Sequence, residues 1–186
     1  SSSQLLIGKV AVIRSWKGHE HFVDSVPFVL EKFSDARFVI VGSGPASQSI
    51  RERVKNLGLE KFIFVLGYRD DIPEIMAALD IHCVASFGME GTTQVIPQAI
   101  AMKTPVVSTR MDSILPILGN GEWGILVEPE NPQDMANGVM KFLKDPELAR
   151  SMAETAYCFG KKELSLDIMM DNIVSIYHDV LNNSHP

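Results

Sequence analysis

Short runs of β-branched and aromatic residues alternate along this chain with stretches whose apolar positions recur every three or four residues. The runs predict six strands: KVAVIR from Lys9, RFVIVG from Arg37, KFIFVL from Lys61, DIHCVA from Asp80, TPVVST from Thr104 and WGILVE from Trp123. Helical periodicity fills the intervals, near residues 18–33, 46–57, 71–79, 92–102, 112–119 and 131–144, and twice more near 146–161 and 165–182. The strands are nearly continuous apolar runs, as strands buried on both faces should be. Strict alternation of strand and helix implies right-handed crossovers, and so an α/β fold: a doubly wound, six-stranded parallel sheet with extra C-terminal helices. Such sheets bind ligands at the carboxyl ends of their strands.

The punctuation agrees with these boundaries. Pro105 opens a strand, where a missing N–H is tolerated, and Asp145-Pro146 and Ser165 mark the starts of the last two helices. Pro27 falls inside the first helical pattern and should kink it or end it early. In the final segment Ile168, Ile173, Ile176, Val180 and Leu181 fall near one face, so this helix should dock on another surface. There is no internal repeat and no low-complexity tract.

Composition narrows the classes. At 186 residues, 46% hydrophobic and 22% charged, the chain is the size of one domain and is neither disordered nor in need of staples. Its two cysteines, Cys83 and Cys158, sit in apolar stretches, which excludes a disulfide scaffold and fits a reducing, cytoplasmic setting. The longest uncharged run is the twelve residues Gly91 to Met102, well short of a membrane span of about twenty. A net charge of −6 argues against nucleic acid or an anionic membrane surface as partner. Ser1 to Ile7 carry no signal-peptide pattern, and no methionine precedes the first strand. The expectation is a piece of a longer protein, with residues 1–8 linker or vector-derived and residues 183–186 a disordered tail.

Three stretches carry candidate chemistry. Gly42-Ser43-Gly44-Pro45 with Ser47 makes G-x-G-x-x-S, close to a dinucleotide fingerprint, whose glycines let backbone N–H groups approach a pyrophosphate. It follows the second strand rather than the first, and no acidic residue ends the next strand, Val65-Leu66-Gly67. A plain strand-to-helix turn and a mononucleotide pocket both remain open. At the end of the first strand, Arg14 and Lys17 offer a planar fork and a point charge for phosphate oxygens, or else form an exposed, solvated loop. His19 and His21 flank Glu20, but no partner recurs at a metal-ligand spacing, so no metal is expected. The third stretch is Ser86 to Thr109. Here a Gly-rich turn carries Glu90, and a helix predicted from Thr92 would present N–H groups and the Thr92 and Thr93 hydroxyls to an anion. Glu90 is either a capping charge or aimed at a neutral polyol beside the phosphates. Gln94 and Gln98 lie one turn apart, and Gln98, amid small and apolar residues, would need partners if buried.

From about Lys9 to Leu181 the chain resembles the C-terminal, donor-binding domain of family-4 retaining glycosyltransferases of GT-B architecture. The marks are the R-S-W-K-G-H loop, the VGSGP turn, LGYRDDIPEIMAALD, the S-x-x-x-E-G…QA-x-A-x-x-x-PVV block, WGILVEPENPQDMA and the closing helices. The loop and the E-G-T-T-Q-x-x-P-Q block look most like transferases of bacterial lipopolysaccharide or capsule biosynthesis. The resemblance implies a Rossmann-like nucleotide-sugar-binding domain over 9–182, with the N-terminal acceptor domain absent from this chain. It implies a hexose, such as mannose, moved with retention from a nucleoside-diphosphate sugar to a glycan or lipopolysaccharide-core acceptor. No cofactor is implied, the domain itself would not touch a membrane, and the whole protein could sit at the membrane's inner face.

The same resemblance assigns roles. Arg14 and Lys17 match the family's diphosphate-gripping pair, and Glu90 opens its signature of two glutamates, facing hydroxyls of the donor sugar. Met89, Gly91, Thr92 and Thr93 would line the sugar and diphosphate. Tyr68, Arg69 and Asp70 would border the base across from the turn at Gly44. Gln98 stands where the signature's second glutamate would hold the ribose, and loses its charge-assisted bond. The Arg-to-Lys loop is shorter than in many members, and Asp112-Ser113 replaces a Gly-Gly pair. No residue reads as a nucleophile. The fragment alone is expected to bind nucleotide without transferring sugar, and an exposed apolar face on its last helix to cause weak self-association. Two other readings stay open: a GT-B-type nucleotide-sugar epimerase using His19 and Glu90, and a non-catalytic nucleotide-binding module.

Overall fold

Six parallel strands, β1 (Leu6–Val10), β2 (Arg37–Val41), β3 (Ile63–Gly67), β4 (Ile81–Val84), β5 (Val106–Thr109) and β6 (Ile125–Val127), form one sheet in the order β3-β2-β1-β4-β5-β6. The computed structural model describes residues 5–89, 91 and 93–183. Winding proceeds outward from β1 through β2 to β3, then returns to place β4 on the other side of β1. The direction of winding therefore reverses between β1 and β4, where Ile7 pairs with Ile81 and Gly8 with His82. This is the doubly wound α/β sheet predicted from the alternation of elements.

Two apolar cores sandwich the sheet. On one face α1 (His19–Leu30), α2 (Ser47–Asn56) and α5 (Pro132–Lys144) bury Phe22, Val26, Ile50, Val54, Val139 and Phe142 against Ile7, Phe38 and Cys83. On the other, α3 (Ile72–Ala78), α4 (Val95–Ala101) and α6 (Pro146–Glu163) contribute Met76, Ile96, Ile100 and Ala156 over Val10, Val41 and Val84. The α5 and α6 starts are capped as their sequences announce. Asn131 accepts from Asp134 N–H at 3.0 Å and Asp145 from Leu148 N–H at 2.9 Å, each with proline in the first turn.

Five elements depart most from the sequence reading. β1 begins at Leu6, not Lys9, and takes in residues 6–8 of the predicted linker. Gly8 disguises the strand: Leu79 packs over it, with side-chain atoms 2.4 Å from where a Cβ would stand. Ala11 to Arg14 lie beyond the strand and lead into a single 3-10 turn, Ser15–Lys17. α1 passes through Pro27 and ends three residues later, at Leu30. Residues 112–119 form a succession of turns rather than a helix, because Pro116 interrupts it, while Ile114 and Leu118 still bury fully. α4 starts at Val95, three residues after the predicted start.

The fifth difference is the last helix, α7 (Leu166–Asn183). It forms, with Ser165 Oγ accepting from Ile168 N–H at 3.3 Å, and it absorbs the first residue of the predicted tail. It packs chiefly against α6, however, and Ile173, Ile176, Val180 and Leu181 stay exposed instead of docking. Cys158, read as lying in an apolar stretch, is exposed on α6, whereas Cys83 is buried. No helix among the described residues is long and apolar enough to cross a membrane.

Candidate functional site

The carboxyl edge of the sheet at the β1/β4 reversal opens into two adjoining cavities. The smaller, about 160 Å³, is lined by Lys9, Lys17, Ser86 and Thr93 together with Val10 to Val12, Cys83, Val84, Gln94 and Val95. The larger, about 540 Å³, lies toward β2 and β3 and is lined by Gly42, Ser43, Tyr68, Arg69, Asp70 and Gln98, among others. Val10, Ala11, Val12, Gln94 and Val95 form the shared wall. One compartment is thus small and lined by two lysines, and the other is larger and mostly apolar.

The loop after β1 is held by local backbone geometry. Gly18 adopts φ 64°, and a Cβ there would lie 1.8 Å from the Ala85 carbonyl oxygen. Only glycine turns the chain this tightly between the 3-10 turn and α1. Lys17 is thereby placed in the smaller cavity. Arg14, exposed, stacks its guanidinium over Trp16 at 5.1 Å. It stands on the same loop but lines neither cavity.

The glycine-rich turn after β2 has a structural use. At Gly42, φ is 134° and a Cβ would meet the Ala11 carbonyl oxygen at 1.9 Å, so the turn lies directly on the chain leaving β1. Ile13 N–H donates to the Ser43 carbonyl at 3.0 Å, and Ala46 N–H to the Ile13 carbonyl at 3.1 Å. Gly44 is spent in this packing and in its exchange with the Ser47 hydroxyl, and it lines neither cavity. The reading as a strand-to-helix turn therefore accounts for both glycines, while Gly42 and Ser43 still form cavity wall.

Tyr68, Arg69 and Asp70 all line the larger cavity. The Arg69 guanidinium is clamped by both carboxylate oxygens of Asp71, one at 2.7 Å. That pairing holds the Asp71 carboxyl below, and Arg69 above, its ordinary range. Gln98 is exposed and lines the same cavity, so it is not the buried amide that its neighbours suggested. Thr93 is buried at the smaller cavity, whereas Gly91 is exposed. Met89, at φ 52°, points into a separate cavity with Phe87, Arg110 and Asp112. Glu90 and Thr92 lie outside the described residues. Among the described residues α4 begins at Val95.

Two features escape sequence reasoning. Ser86 joins the smaller cavity while Thr109 Oγ1 donates to its carbonyl at 2.5 Å, tying β5 to the end of β4. Lys9, read as the polar start of a strand, is 1% exposed in the centre of the sheet. Its legible signal is a charge in the middle of an otherwise apolar central strand. Near it, burial and then the Lys9 charge lower His19 to about 2 and His82 to about 3, while burial raises Cys83 to about 12. Neither imidazole has a well-formed hydrogen bond among the described residues, and His19 lines neither cavity. Among the described residues no group of three or more His, Cys, Asp or Glu side chains could hold a metal ion.

The fold and this edge place the chain in a known family. It belongs to the glycosyl transferases group 1 family, whose model matches residues 1–159. It is 28% identical over 98% of its length to the N-acetyl-alpha-D-glucosaminyl L-malate synthase of Bacillus anthracis, covering 48% of that protein. Among solved structures it resembles the C-terminal domain of the group 1 protein LpcC from Francisella tularensis, with a TM-score of 0.79, 28% identity and 87% of each chain covered. It also shares the fold of Anabaena HepE, solved in complex with UDP, with a TM-score of 0.88 at 22% identity, over 95% of this chain and 49% of that one. The chain spans about half the length of the curated relatives it matches.

Proposed function

We propose that this chain is the donor-binding half of a glycosyltransferase, holding a nucleoside-diphosphate sugar at the β1/β4 edge. The observation that carries the reading is the pair of adjoining cavities, one lined by two lysines and the size of a phosphate group, the other roomy enough for a nucleoside. The base and ribose fit the larger space beside Tyr68, Arg69, Asp70 and Gln98, and the diphosphate reaches Lys17 and Arg14. There the two cations offset charge that develops on the departing nucleoside diphosphate, an electrostatic contribution aimed at the leaving group. Glu90, with Gly91, Thr92 and Thr93, meets the sugar. The UDP bound by HepE supports a uridine nucleotide as the first donor to try.

The finer reading follows the resemblance: a hexose such as mannose, transferred with retention to a glycan or lipopolysaccharide-core acceptor on the cytoplasmic side of the membrane. The acceptor then belongs to the part of the relatives' length that this chain does not span, and the fragment alone is inactive in transfer. Calorimetric titration with UDP, GDP, ADP and CMP, then UDP-glucose and GDP-mannose, tests the proposal. One diphosphate should bind, and Arg14→Ala should weaken it at least tenfold while leaving the nucleoside unaffected. Binding by none of them, or sugar transfer by the fragment, contradicts it.

The epimerase reading needs His19 as an acid or base in the cleft. A fully enclosed imidazole held neutral down to about pH 2, outside both cavities, is unsuited to that work.

A further inference from the structure

Of the five residues 68–72 that follow β3, four line the larger cavity, and Asp71 is the exception. The segment leaves the strand at Gly67, whose carbonyl accepts from Gly42 N–H at 2.7 Å. It is thereby tied to the turn after β2, which forms another part of the same wall. From outside that wall Asp71 grips a residue that belongs to it. Arg69 Nε donates to one of its carboxylate oxygens at 2.7 Å, and Arg69 Nη2 donates to the other. A two-point clamp of this kind fixes the plane of the guanidinium as well as its position, and it leaves the Nη1 end of the fork outside the clamp.

Asp71 also holds the N-cap position of α3, where an aspartate ordinarily accepts from a backbone N–H of the first turn. Asn131 and Asp145 do so at the starts of α5 and α6. Asp71 does not: among the described residues its carboxylate makes no capping bond. An ion pair whose side chains are 48% and 34% exposed adds little to stability. The start of α3 therefore forgoes a cap for a contact whose main effect is geometric, on a side chain that lines the cavity. Matched by a carboxylate, the guanidinium brings little net charge to a diphosphate. What it offers is a fixed donor edge, suited to the uncharged base and ribose.

We propose that Asp71 is a positioning residue of the donor site, ordering Arg69 in advance so that the nucleoside end of a nucleoside-diphosphate sugar meets a side chain already in place. This rests on the nucleotide-sugar reading above and adds to it a residue outside the cavity wall that acts through one inside it. Two arginines then have separate work: Arg14 answers the diphosphate, and Arg69 the nucleoside.

The test is calorimetry of the 186-residue chain and its Asp71→Ala, Arg69→Ala and double variants, with a urea midpoint for each. The ligands are UDP and GDP, and then the nucleoside matching the diphosphate the parent prefers, read by competition against that diphosphate. The neutral nucleoside decides, because removing a carboxylate alters the long-range attraction of a diphosphate whatever else Asp71 does. Asp71→Ala should lower nucleoside affinity about fivefold, the cost of ordering one long side chain on binding, with its urea midpoint unchanged. Arg69→Ala should lower it at least as much, and adding Asp71→Ala to that variant should cost nothing further. Unchanged nucleoside affinity in Asp71→Ala overturns the proposal and leaves the donor-site reading standing. Losses that simply multiply in the double variant also overturn it. So does a urea midpoint that falls in step with affinity, since Asp71 would then be only scaffold. Absence of any diphosphate binding by the parent sinks both readings together.

Discussion

At the scale of single residues, the buried imidazoles make an acid-sensitive interior. His19 and His82 are neutral in the fold down to about pH 2 and 3, while their unfolded counterparts protonate near 6.5. Because the folded values are depressed, their contribution to stability is fully present above pH 6.5 and is lost as pH falls below it. Each imidazole adds a slope approaching about 1.4 kcal/mol per pH unit in that range. Urea midpoints should therefore drop steeply between pH 6.5 and 5, and His82→Gln should flatten the profile by about half. A pH-independent midpoint over that interval would mean the imidazoles are hydrated. Gln98 offers a second test at this scale. As an exposed wall of the larger cavity it can accept a ribose hydroxyl proton only as a neutral amide. Gln98→Glu should raise affinity for UDP by about fivefold, the difference between a neutral and a charge-assisted bond, and should do nothing for a 2′,3′-dideoxy analogue. A gain with both nucleotides would reassign the residue.

At the scale of elements, legibility tracks how local the cause is. The α5 and α6 starts are readable because capping is settled within four residues, and Asn131→Ala or Asp145→Ala should each cost about 1 kcal/mol in thermal or urea unfolding. A smaller loss at Asp145 than at a surface control such as Gln133→Ala would refute its capping role. Strands β2, β4 and β5 are readable because both faces bury and the apolar run is continuous. The early start of β1 is not, since Gly8 is a strand residue only because Leu79, from across the sheet, needs its space. Nor is the irregular path of residues 112–119, where apolar spacing satisfies burial without a helix. The site divides the same way. Lys17, Tyr68, Arg69, Asp70, Thr93 and Gln98 reach the cavities through the motifs that mark them. The burial of Lys9, and the consumption of Gly44 in packing, depend on neighbours far away in the chain.

At the scale of the whole molecule, α7 stands apart from the body it follows. Leu166, Met169, Met170, Ile173, Val174, Ile176, Tyr177, Val180 and Leu181 are all exposed, an apolar surface of the extent that usually marks contact with another body. A helix that buries so little adds little to the stability of the domain beneath it, since stabilisation follows apolar area removed from water. Ending the chain at Leu164 should therefore cost no more than about 1 kcal/mol, a shift of roughly 2–4 °C in Tm for a domain of this size. The contrast is Phe22→Ala in the core between α1 and the sheet, where an edge-to-face partner, Phe38, lies 6.1 Å away and a loss of about 3–5 kcal/mol is expected. The same truncation should lower concentration-dependent association in sedimentation velocity, because it removes most of the exposed apolar face. A collapse in Tm comparable to that of Phe22→Ala would instead make α7 an integral part of the domain, with its exposed face a secondary consequence of how it is anchored through α6.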